Sequence, residues 1–200
     1  MSEYEDEDFS EVSWFRRELE HESYVDCSFR DADLTELMAA GCTFTNCDFT
    51  RADLRGAKFR ASAFLSCTFD RVNWIEATLE GCKLTGSVFV ECRFAPWTVR
   101  DCDFSLVTFG AANLKKQDFS DQRLHGVSLV DADLTGADLS GADLADAHVG
   151  GAKLEKADLR GATVDPSFWV TANLRGARID TEQALRFALA HGLVFGEDEP

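Results

Sequence analysis

A large apolar residue returns at every fifth position from Phe9 to Ile179 without a slip of phase. Of these 35 positions only Ala39 is small. An α-helix repeats every 3.6 residues and a strand every two, so neither element accounts for this spacing. The position two before each centre is alanine at 14 places and cysteine at seven, which are all the cysteines of the chain. Residues i and i−2 of a short extended segment share a face, so each repeat turns one large and one small residue inward. Ten of the 14 glycines lie two after a centre. That is the third residue of a four-residue turn, where a type II turn requires φ > 0. Each five-residue unit therefore reads as one short side and one corner. Four sides would close a coil of 20 residues, and stacked coils would be joined by parallel strand-type hydrogen bonds ~4.8 Å apart; the spacing alone does not set the number of sides.

This pattern resembles the pentapeptide-repeat family, and the resemblance implies an all-β fold, a right-handed quadrilateral β-helix. Centres 20 apart then stack, giving an aromatic column of Phe9, Phe29, Phe49, Phe69, Phe89 and Phe109 that tapers to Leu129, Val149 and Trp169. Nearly nine coils make a rod about 42 Å long. The boundaries read as an acidic tail over 1–8, the β-helix over 9–179, a capping and dimerisation helix over 180–195 and an acidic tail over 196–200. Two places strain the pattern. Pro96 and Pro166 take corners, and Trp97 takes a slot that is usually small, so a local bulge is expected at "FAPWTV". After Ile179 the beat stops. Asp180 and Gln183 have capping-box spacing, and Gly192 can end the helix. Ala184, Leu185, Ala188 and Leu189 form one apolar stripe, and a helix this short needs something to pack on, for which the open end of the last coil is one candidate. Phe187, Val194 and Phe195 then remain, more apolar surface than one cap needs, and a self-complementary C-terminal dimer is the simplest account.

The composition narrows the function. The formal net charge of −16 on 200 residues argues against direct binding to nucleic acid or an anionic membrane. The opening segment is acidic where a secretory signal would be basic and then apolar, and no apolar run reaches ~18 residues, so a cytoplasmic protein is expected. Because the cysteines alternate with alanine at inward positions, they read as buried packing thiols; no metal or cofactor is expected. His21, His125, His148 and His191 lack a nucleophile or carboxylate at motif spacing, so no enzyme is expected either.

The carboxylates are distributed unevenly. An Asp just before a centre is a repeat residue that can hydrogen-bond local backbone, which accounts for about half of them. Sorted by side, three sides of the coil carry net negative charge and the fourth is weakly basic, with Lys115, Lys116, Lys153, Lys156 and Arg175. One acidic side reads Asp118, Asp121, Asp138 and Asp158, and its neighbour adds Asp143, Asp146 and Asp165. An acidic rod of this kind is a competitor for a groove built to hold DNA, whose charge density is one per ~1.7 Å. "GSVFVECRF", "GATVDPSFW" and "ALRFALAHGL" resemble the matching stretches of the DNA-mimicking, quinolone-resistance branch of the pentapeptide-repeat family. That resemblance implies a dimeric inhibitor of DNA gyrase that shields the enzyme from fluoroquinolones. Asp118, Asp121, Asp138, Asp158, Asp143 and Asp146 are the candidate gyrase-binding residues, and Leu185, Phe187, Leu189, Val194 and Phe195 the candidate dimer interface. A structural scaffold or adaptor unrelated to gyrase is the alternative.

Overall fold

A computed structural model describes residues 2–94 and 96–194. Every parallel pairing in it joins residue i to residue i+20, from Glu3↔Ser23 and Asp8↔Ser28 to Asp138↔Asp158 and Asp158↔Arg178. The expected coil is thus the unit of the fold. Its four sides are named here by a central residue each, in chain order: the Tyr24, Phe29, Leu34 and Phe59 sides. The N–H groups of the centre and of the corner residue donate to carbonyls of the coil ahead, as in Phe49 to Thr68 (2.9 Å) and Arg51 to Asp70 (2.8 Å). The residue before the centre donates to the coil behind, as in Asp48 to Cys27 (3.0 Å).

The interior is the two inward sets of each coil. Phe29, Phe49, Phe69 and Phe89 are stacked with centroids 4.7–5.1 Å apart and interplanar angles of 6–21°. Phe9 and Phe109 extend that column at 5.2 and 4.9 Å. A second column, Tyr4, Tyr24, Phe44 and Phe64, stands beside it, and Tyr24 meets Phe29 edge to face at 5.4 Å. Ring spacing and coil spacing coincide, so in-register coils place every ring at its preferred offset-stacked distance, a gain of about 0.5–1.5 kcal/mol per pair beyond burial.

The corners are left-handed whether or not they carry glycine. The ten corner glycines have φ of 62–73°, but 22 other residues occupy the same position with φ of 47–62°. Hydrogen bonds to the coils on both sides hold the corner against a cost of about 1–2 kcal/mol per non-glycine residue. Corners come in two forms. Most close with a hydrogen bond from the residue three past the centre, such as Ala52 N–H to Phe49 O (2.9 Å) and Ala132 N–H to Leu129 O (3.0 Å). The eleven three-residue strands instead run into corners without that bond.

Three expectations are corrected. Of the segment 1–8 expected as a tail, the described residues 2–8 belong to the coil: Glu3–Glu5 pairs with Ser23–Val25, because Tyr4 is itself on the beat and stacks on Tyr24 at 4.9 Å. The β-helix is interrupted at Pro166, where α1 (Pro166–Thr171) replaces one side. Its Phe168 and Trp169 stay buried, and the beat resumes with the bridge Lys153↔Asn173. A proline at the first helical position has no N–H to lose, so the sequence that turns a corner elsewhere starts a helix here. α2 (Thr181–Ala190) has the expected reciprocal cap between Asp180 and Gln183, but its apolar stripe is not the face that meets the last coil. Gln183 is the buried residue, and Leu185 and Leu189 are exposed. Phe195 and the acidic segment 196–200 lie outside the described residues. The strain near Pro96 does appear: Glu76 N–H bonds to Pro96 O (2.5 Å), one position later than the acceptor at other corners, and Trp97 is buried against Phe94 at 4.8 Å.

Candidate functional site: an acidic ladder

Asp118, Asp138 and Asp158 are bridge partners in consecutive coils, so the structure does bring them together on the Phe59 side. Two of them are alike. Asp118 Oδ1 accepts the N–H (3.0 Å) and hydroxyl (2.7 Å) of Ser120, and Asp138 Oδ1 accepts the same pair from Ser140 (2.9 and 2.6 Å). Each thus spends one oxygen on its own turn and keeps the other for solvent. Asp48, Asp103 and Asp133 use a following Ser or Thr in the same way, which is the local role expected of an Asp before a centre.

Asp158 differs. Arg160 (2.7 Å) and Arg178 (3.2 Å) both hold it, and its side chain is 13% exposed. The Arg160 guanidinium, working against burial, keeps this carboxyl below its ordinary range. A carboxylate shared by two arginines has little charge to offer a partner, so the ladder ends one rung earlier than its sequence spacing implies.

At the corner between the Phe59 and Tyr24 sides, Asp121 lies over Gly141 so closely that a Cβ there would sit 2.2 Å from its Oδ1. Asp101 occupies the corner one coil earlier and has no Lys or Arg partner among the described residues. It is absent from the candidates drawn from sequence, although its place one coil before Asp121 was legible from spacing alone. Around the corner lie Asp143, which accepts Ala145 N–H at 3.2 Å, and Asp103, neutralised by Arg123 at 3.4 Å. Asp146 is exposed and sits 3.5 Å from His125 Nε2, a partner that motif spacing does not reveal. Together Asp101, Asp118, Asp121, Asp138 and Asp143 are five carboxylates without a Lys or Arg partner among the described residues, spread over two coils and a corner.

Elsewhere the charge is cancelled only in part, since Glu3, Glu5, Asp6, Glu7, Asp8, Glu11, Glu18 and Glu20 near the N-terminal end also have no Lys or Arg partner among the described residues. Arg16–Glu36, Arg30–Asp48, Arg55–Asp53 and Arg60–Glu80 are ion pairs between or within coils. On the basic Leu34 side, Lys115 and Lys153 share Asp133 at 3.1 and 3.9 Å, leaving Lys116, Lys156 and Arg175 as its cationic surplus.

The C-terminal end is a second surface. Gln183 anchors α2: its amide donates to Leu159 O (2.6 Å) and Ala162 O (2.9 Å) while Oε1 accepts Asp180 N–H (3.0 Å). With 183 facing the coil, Phe187 meets Trp169 at 6.0 Å and Ala190 packs on the core. Leu185 (44%), Leu189 (53%) and Val194 (90%) are turned away, as the helical period dictates. Phe187 and His191, 4.1 Å apart, wall an open apolar hollow with Trp169, Leu174 and Ile179.

The molecule is a four-sided parallel β-solenoid closed at one end by helices. It belongs to the pentapeptide-repeat proteins: the family profiles for pentapeptide repeats and for a pentapeptide repeat region match residues 27–64 and 75–149, together more than half the chain. Among solved structures it is similar to a trypsin-treated form of QnrB1, described as a plasmid-mediated fluoroquinolone resistance protein, with a TM-score of 0.84 and 21% identity over 97% of both chains. Full-length QnrB1 matches with a TM-score of 0.80 and 20% identity, over 96% of this chain and all of that one. At such identity the likeness establishes the fold. No match is found among curated protein sequences. Among the described residues no helix is long and apolar enough to cross a membrane.

Proposed function

We propose that this protein is a non-enzymatic, DNA-mimicking inhibitor of DNA gyrase that protects the enzyme from fluoroquinolones. The observation that carries this reading is the ladder of uncancelled carboxylates. Two coils and a corner span about 11 Å of axis, so five charges come to roughly one per 2 Å. B-DNA carries one per ~1.7 Å. The solenoid also fixes these charges at a constant rise along a rigid rod, so no ordering entropy is lost when a groove closes on them. The fold shared with a protein described as a plasmid-mediated fluoroquinolone resistance protein supports the part of the reading that concerns fluoroquinolones. The exposure of Leu185, Leu189 and Val194 supports a C-terminal dimer, which would double the length of the acidic rod.

Supercoiling by gyrase, titrated with this protein at two salt concentrations, tests the reading. Inhibition is expected, and it should weaken at the higher salt because the contact is electrostatic. Reversing Asp118, Asp121, Asp138 and Asp143 to lysine should weaken inhibition at least tenfold. A charge-matched control at Glu3, Glu5, Glu11 and Glu91 should retain it. Absence of inhibition at both salts by the folded protein would leave the scaffold reading.

A further inference from the structure

Two glycines are not required by the fold. Every other described glycine has a positive φ, but Gly110 and Gly150 do not. A Cβ on Gly110 would meet only Thr108 Cγ2, at 4.0 Å, and one on Gly150 would meet nothing within that distance. Both occupy the position just after a centre on the Phe29 side, where Val90 and Val130 stand in the coils between and beside them. The column therefore reads Val90, Gly110, Val130, Gly150, one residue per coil. Val90 is 42% and Val130 39% exposed. Val130 itself shows that this turn position accepts a valine. A residue that gives up side-chain contacts and backbone order without conformational need marks a close approach by something outside the coil.

The surrounding surface is also unlike the rest of the molecule. Between residues 86 and 151, the outward positions of the Phe29 side and its corners include Val88, Thr108, Ser128 and His148, with Glu91, Asp131 and Asp146 as the acids. In a chain of net charge −16 this is the face that costs least to remove from water.

We infer that this face is a self-complementary contact between two copies of the chain, with the valines of each seated in the glycine notches of the other. Knob and notch alternate with a step of one coil, ~4.8 Å. A second copy packed face to face, reversed end to end about an axis along the strands midway between residues 110 and 130, sets Val90 over Gly150 and Val130 over Gly110. The same operation brings Thr108 to Ser128 and Val88 to His148. Glu91 falls opposite Gly151 and Asp131 opposite Ala111, so no acid meets an acid. A foreign surface would need its own knobs at twice the coil spacing; a copy of this chain has them. The interdigitation is that of a dry β-zipper, limited to four rungs. Four rungs make a footprint of about 19 by 10 Å, well below the ~1,200 Å² of a stable complex, so the contact is weak and appears at high concentration.

The test uses the full chain. Sedimentation equilibrium across a wide concentration range should show association beyond a C-terminal dimer that strengthens with salt, since added ions screen the repulsion between two acidic rods. Gly110→Val with Gly150→Val should weaken it at least tenfold with an unchanged melting curve. A mixture of Val90→Cys chains and Gly150→Cys chains should form a mixed disulfide dimer on mild oxidation, while either alone, with its cysteines three rungs apart across the pair, should not. Unchanged association in the double valine variant overturns the inference, as does cross-linking confined to single-variant samples. If the valines leave association intact but weaken gyrase inhibition, the notches seat the target instead and the self-contact is wrong. Because the association and cross-linking readouts contain no gyrase, the inference stands or falls separately from the proposed function.

Discussion

The cysteines report the geometry of the corners they occupy. None of the eleven three-residue strands leads into alanine at the inward small position; seven lead into cysteine. Those corners lack the closing hydrogen bond, and at six of the seven cysteines the thiol makes two carbonyl contacts there, Cys42 making one. Cys47 Sγ lies 3.5 Å from Tyr24 O and 3.4 Å from Thr45 O, and Cys102 Sγ 3.5 Å from Leu79 O and 3.2 Å from Arg100 O. Alanine has neither the donor nor the volume, so Cys47→Ala should cost about 1–2 kcal/mol in chemical denaturation. Burial pushes the Cys27 and Cys42 thiols up and the Cys92 thiol up to about 12. A group whose folded pKa exceeds its unfolded value stabilises the fold below the unfolded value and loses that contribution as pH rises through the folded one. Stability should therefore fall from about pH 9 toward 12 for Cys92. A thiol reagent at pH 8 should label the native protein slowly and all seven cysteines promptly in denaturant. The burial of these residues was legible from their phase; the open corner was not, because a turn's hydrogen bond depends on how the next coil sits on it.

At the scale of elements, α2 shows what a local signal leaves open. Capping-box spacing located the helix start, since that motif is satisfied within one turn. Which face would meet the solenoid was misread, because the apolar count favoured Leu185 and Leu189. The coil's end presents unpaired carbonyls as well as apolar surface, and Gln183 is the residue that answers them. Gln183→Leu keeps the volume but strands both carbonyls. It should cost about 1–3 kcal/mol and raise hydrogen exchange across 181–190, with the coils below unaffected. The same limit applies to Asp158. Its spacing matches Asp118 and Asp138, but Arg178, one coil further on, decides its charge.

For the whole molecule, the constant i to i+20 register makes the rod divisible in whole coils. Deleting the coil 41–60 should set Tyr24 on Phe64 and Phe29 on Phe69 and leave a folded rod about 5 Å shorter by small-angle scattering. Deleting only 41–55, three sides in place of four, should not fold, since each side would then stack on the wrong neighbour. The whole-coil deletion leaves Asp101 to Asp143 intact, so gyrase inhibition should survive it.

The five-residue beat determined the sides, the core and the position of the corners, because one periodic constraint governs inward packing; that four sides make a coil was implied by the family resemblance and is seen in the i to i+20 pairing. The N-terminal boundary was lost only because the acids around Tyr4 obscured a centre already in phase. Tertiary structure decided what depends on neighbours one coil away. It set which carboxylates remain uncancelled, which corners stay open and which face of α2 is left uncovered. These are outcomes of competition among groups brought within a few ångströms by stacking, and periodicity does not encode who wins.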